Sequence, residues 1–174
     1  LGSGWPLHAD PLAQIWYPVS LVLSRLPVQL GWNLFIISGY SLSSVFMYLY
    51  VRELTGKRFP AVISALAFPL SGSMIGELRH APVIHSMFCM MAILFVMEKL
   101  AKRHSLFWLA AGMAAVGLCV LNGHMQFVAY IMVVVVLYAV FRALTMKEGQ
   151  SKFLLNIAAM IATGLAIGAI QILP

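Results

Sequence analysis

Six apolar runs, at positions 28–51, 60–78, 82–97, 106–121, 125–141 and 153–173, take up most of this 174-residue chain. At 1.5 Å per helical residue, about 20 such residues cross the ~30 Å hydrocarbon core of a bilayer. The runs are too long for strands and lack period-two alternation, which excludes a membrane barrel. Only 9% of the residues are charged and 62% are hydrophobic, whereas soluble domains carry about 25% charged residues. A water-soluble fold of this size would have too little polar surface to cover itself. The expected fold is therefore all-α, a polytopic transmembrane helix bundle over 28–174 with about six spans. An external interfacial loop over 1–27 precedes it. The expected location is a cell membrane, crossed several times, and the first partner is the lipid bilayer.

The connections between runs alternate in charge. "RELTGKR" (52–58), "EKLAKRH" (98–104) and "RALTMKEGQSK" (142–152) hold nine of the eleven Lys and Arg residues, while "GELRHAP" and "LNGHMQ" hold only Arg79. Short loops rich in Lys and Arg stay on the cytoplasmic side. The basic connections are thus expected inside, and residues 1–27 extracytoplasmic. The net charge of +6 follows from topology. Its scattered carriers give no nucleic-acid surface, and no nucleic-acid partner is expected.

Residues 1–27 do not read as a span, because Pro6, Pro11, Pro18 and Pro27 interrupt them. Trp5, Trp16 and Tyr17 suit the headgroup layer, and "VSLVLSRL" (19–26) can form two helical turns lying on the surface. Within the bundle, Ser38, Gly39, Ser41, Ser43 and Ser44, and the Gly164/Gly168 pair, read as surfaces for close helix packing. "FPLSGS" (68–73) reads either as a proline kink or as a helix broken beside a cavity. Cys89 and Cys119 fall inside apolar runs and read as small buried hydrophobes. The chain starts at Leu1 and stops at Pro174 in mid-pattern; a further span before it and more after it are expected.

Polar residues at membrane depth are costly, so their clustering carries information. The unusual ones are expected on one side: His8 and Asp10 in the opening loop, Glu77, Arg79, His80 and His85 around the second-to-third connection, and Asn122, His124 and Gln126 at the fourth-to-fifth turn. On that side the odd-numbered spans present helix N-termini, whose unpaired N–H groups and partial positive charge favour phosphate. Pro82 suits a first helical turn, Asn122 a cap, and Arg79 adds a full cation. Each residue also has a plainer reading. Asp10 before Pro11 can simply form a turn. Glu77 and His80 share a helical face but occur once, where di-metal bundles use the motif in pairs, so a salt bridge to Arg79 or a helix-end role competes. His85 reads as a satisfied polar residue of the bundle, and His124 and Gln126 as closers of a tight turn.

The motifs "GWPLHADPLAQIWYP" (4–18), "ALAFPLSGSMIGELRHAPVI" (65–84), "NGHMQFVAY" (122–130) and "GAIQILP" (168–174) occur in this order along the chain. In that order they resemble the bacterial YfhO-type integral membrane proteins, a family similar to the GT-C glycosyltransferases. The resemblance implies a GT-C-like bundle that moves a sugar from a polyprenyl-phosphate donor to a cell-envelope acceptor on the extracytoplasmic face. It places Asp10 at the catalytic acid of the first external loop. Arg79, His80, His124, Gln126 and Glu77 then become the expected substrate-binding residues. Asp10 stands without a second acid, His8 occupying that place, so a divalent metal held by His8 and Asp10 stays open, as does the identity of the base. Two other classes fit the composition: a lipid or solute transporter or flippase, and a non-catalytic subunit that binds polyprenyl phosphate. Transporter sites tend to sit near the midplane, whereas these polar residues gather at one edge.

Overall fold

In a computed structural model of the chain, residues 10–172 are described. Among them every regular element is helical and none is a strand. After a 3-10 turn at Pro11–Ala13 come α1 (Pro18–Leu23), α2 (Val28–Thr55), α3 (Arg58–Ala67), α4 (Gly72–Gly76) and a 3-10 turn at Glu77–Arg79. There follow α5 (Ala81–Lys102), α6 (Leu106–Leu121), α7 (Met125–Thr145), α8 (Gln150–Ile167) and α9 (Ala169–Ile172). The architecture is an all-α helical bundle.

Five stretches are long and apolar enough to cross a membrane: α2, the interrupted Arg58–Arg79 stretch, α5, α7 and α8. They fit a multi-pass membrane protein. The fourth run folds as α6 over 16 residues, about 24 Å of helix, which is shorter than the ~30 Å core. Four continuous long helices, one interrupted stretch and one short helix thus stand where six spans were expected. In the apolar window of α5, 83% of residues are buried, against 17–28% in the other four. The third span is therefore the axis of the bundle, and α2, α6, α7 and α8 surround it and carry exposed apolar side chains on their outer faces.

Small residues set the helix spacing. A Cβ on Gly39 of α2 would run into Ile84 and His85 of α5, and the next turn buries Ser43 in the same contact. Ser44 donates to the Ala65 carbonyl of α3 at 2.7 Å. Gly164 lies against Val116, and Gly168 against Val120, so α6 and α8 pack backbone to side chain along this seam.

The second apolar run is broken rather than gently bent. Pro69 has no N–H to give, and the helix stops at Ala67 and restarts at Gly72. Side chains then serve the freed backbone: Ser71 Oγ accepts from the Met74 N–H at 3.5 Å, and Tyr40 Oη donates to the Met74 carbonyl at 2.7 Å.

The two ends of the bundle differ. At the basic end α5 continues through most of the expected 98–104 loop, to Lys102. Its charges are more than solvated loop charges. Glu53 meets Lys99 at 2.5 Å and Lys102 at 3.1 Å. Glu98 is fully buried, with Arg142 Nε at 2.7 Å and Nη2 at 3.0 Å, and it accepts from Tyr138 Oη at 2.5 Å. At the opposite end lie the N-terminal segment, the 77–80 turn and the α6–α7 turn.

Candidate functional site

The site is built where the N-terminal segment meets the ends of α5 and α6. Asp10 opens a 3-10 turn: its Oδ1 accepts from the Leu12 N–H at 3.0 Å, and its carbonyl accepts from the Ala13 N–H at 3.1 Å. The carboxylate is thereby oriented, while Oδ2 has no hydrogen bond to any other described residue. The turn ends at Gln14, whose φ of 52° lies in the left-handed region that a non-glycine residue rarely enters. Tertiary contacts hold it there. Gln14 Nε2 donates to the Asn122 carbonyl at 2.9 Å and to Asn122 Oδ1 at 2.7 Å, and its Oε1 accepts from Ser20 Oγ at 3.2 Å.

Asn122 is fully buried. The sequence suggests a cap before α7; it is instead the C-terminal cap of α6, and His124 occupies the position before α7 without a side-chain cap. The Asn122 amide donates to the Pro82 carbonyl at 2.6 Å and to Ser86 Oγ at 2.8 Å, both on the first turns of α5. One side chain thus joins the N-terminal segment, α6 and α5.

A second clamp lies beside the first. Tyr17, expected among the headgroups, is fully buried against Phe35 and Ala81. Its hydroxyl lies 2.8 Å from His85 Nδ1, and His85 Nε2 lies 2.8 Å from the Phe35 carbonyl. A carbonyl only accepts, so the imidazole proton is on Nε2 and Nδ1 accepts from the phenol. Phe35 stacks on the imidazole with centroids 3.9 Å apart. Burial pushes the Tyr17 phenol's pKa up, which keeps it a donor.

The remaining candidates are distributed around this anchor. His124 is half-buried, its ring edge-on to Phe127 at 4.9 Å, and its Nδ1 is buried without a hydrogen-bond partner. Gln126 is exposed and donates to Tyr130 Oη at 2.6 Å along its own helix. Glu77 pairs with His80 at 3.0 Å on the exposed 3-10 turn, so the alternative salt bridge from Glu77 to Arg79 is not formed. Arg79 is exposed and has no ion pair or hydrogen bond among the described residues. No hydrogen bond or ion pair joins Asp10 to Glu77, Arg79, His80, His124 or Gln126. His8 lies outside the described residues. Among those residues no three His, Cys, Asp or Glu side chains converge on a point.

A groove of about 350 Å³ runs between the N-terminal segment and α2, lined by Gln14, Ser20, Ser24, Gly31, Trp32 and Phe35. Polar groups edge it on the α1 side and aromatic rings on the α2 side. Gln14 and Tyr17 were missed in the sequence because neither bears a local signal. Gln14 has no charge or spacing motif, and Tyr17 next to Trp16 reads as an interfacial aromatic. Their partners lie 108 and 68 residues away.

No family model matches the chain, and no match is found among curated proteins or solved structures. The likeness to YfhO-type proteins therefore rests on the four short motifs of the sequence.

Proposed function

We propose that the chain belongs to a membrane glycosyltransferase. It would take a sugar from a polyprenyl-phosphate donor and pass it to a cell-envelope acceptor at the extracytoplasmic surface. The observation that carries this reading is the Gln14–Asn122 clamp. It fixes the loop of Asp10 on the bundle, and the Leu12 N–H holds Oδ1, with Oδ2 unbonded among the described residues. In the proposed step an acceptor hydroxyl attacks the anomeric carbon, the bond to the lipid phosphate breaks, and the acceptor proton passes to Asp10. Arg79, a cation with no ion pair or hydrogen bond among the described residues, meets the departing phosphate as charge develops. His124, with Nδ1 unpartnered, and the exposed His80 and Gln126 contact donor or acceptor, and Glu77 holds His80. The groove beside α2 receives the first isoprene units from the outer leaflet.

A positioned general base contributes about 10²–10⁴ in rate. Asp10→Asn in the whole protein is expected to lower transfer from a polyprenyl-phosphate sugar by that factor, with insertion in the membrane unchanged. Transfer at the wild-type rate would remove Asp10 from the chemistry. Binding of polyprenyl phosphate with no transfer by either form would favour the non-catalytic partner subunit, and movement of the intact lipid between leaflets would favour a flippase.

A further inference from the structure

The basic end carries a second feature, remote from the Asp10 loop and independent of the reading given to it. A pocket of about 170 Å³ opens where the 103–105 connection meets the start of α8. His104, Ser105, Lys152 and Asn156 form its polar side, and Leu106 and Leu109 its apolar side. Asn156 Nδ2 lies 3.2 Å from His104 Nδ1. With the amide nitrogen on that side, Nδ1 accepts and the ring proton sits on Nε2. Lys152 is exposed and forms no ion pair with any described residue, whereas at the same end Lys99 and Lys102 share Glu53, and Arg142 pairs with Glu98. The pocket thus combines an uncompensated ammonium with imidazole and hydroxyl donors above an apolar floor. Leu106 (85% exposed), Phe107 and Leu155 continue that apolar surface along the lipid-facing sides of α6 and α8.

We propose that this pocket holds the phosphate headgroup of an anionic glycerophospholipid. Lys152 and His104 meet the phosphate, and the acyl chains lie over Leu106 and Leu109. Charge complementarity selects the headgroup, since the pocket offers donors and a cation but no carboxylate. The apolar floor selects a lipid over a soluble anion.

The test uses the whole chain in detergent with a mixture of phosphatidylglycerol and phosphatidylcholine, and native mass spectrometry reads the bound lipid. Phosphatidylglycerol is expected to be retained preferentially. Lys152→Gln is expected to reduce that preference about fivefold, the factor for one basic residue near an anionic surface, and Lys152→Arg to keep it. Lys57→Gln, on the same end but away from the pocket, should leave it intact. Millimolar inorganic phosphate should not displace the lipid. An unchanged preference in Lys152→Gln, an equal loss in Lys57→Gln, or displacement by inorganic phosphate would each overturn the proposal. The second outcome would mean diffuse attraction to the basic face, and the third a site for free phosphate.

Discussion

Asn122 is fully buried, and its amide serves three segments at once. A buried hydrogen bond contributes about 0.5–1.5 kcal/mol, but leaving its partner unmatched costs more, roughly 1–3 kcal/mol. Asn122→Leu should therefore destabilise the bundle by roughly 2–3 kcal/mol, and Gln14→Ala by less, because Gln14 is only half-buried. Thermal unfolding in detergent measures the difference, and proteolysis within residues 10–17 should rise in both variants. Equal, small effects would show that the segment is held by apolar packing alone. Tyr17 makes a related prediction about pH. Its raised pKa means that the neutral phenol is the folded form. The stability it contributes is fully present below the unfolded-state value of about 10 and is lost as pH climbs above it. The unfolding midpoint should fall over that alkaline range, and fall less in Tyr17→Phe.

A buried charge pair locks α5 to α7. Glu98 of α5 is fully buried, and Arg142 and Tyr138 of α7 satisfy it. Removing one member of a buried ion pair typically costs 3–5 kcal/mol, because the other charge is left uncompensated. Arg142→Ala is expected to destabilise by about that amount, and Glu98→Ala with Arg142→Ala by clearly less; unfolding in denaturant with both variants checks the inequality. Neither residue stood out in the sequence. Arg142 read as one more basic loop residue, and Glu98 as the start of the 98–104 connection. The extension of α5 to Lys102 carries Glu98 into the core, and no pattern along the chain announces a helix end to within a turn. Elements with clear punctuation read better. Pro69 and Gly72 mark the break between α3 and α4, and Pro27 the start of α2.

For the molecule as a whole, the proposed sidedness has a direct check. With the buried Cys89 and Cys119 replaced, Ser24→Cys should react with a membrane-impermeant maleimide on intact cells, and Lys57→Cys only after permeabilisation. The reverse pattern would put the Asp10 loop in the cytosol and end the glycosyltransferase reading. The sequence by itself determined that this is an all-α bundle with long apolar helices, because hydrophobic length and the distribution of Lys and Arg are properties of the chain read locally. It also pointed to the small-residue positions where helices approach closely. Only the tertiary structure decided which helix is the axis. It also decided that α6 is short, that Tyr17 and Glu98 are interior, and that Gln14 and Asn122 fasten the opening segment to α5. These are contacts between residues tens of positions apart. They depend on the rotation and depth of each helix in the packed bundle, and a periodic apolar pattern leaves both undetermined.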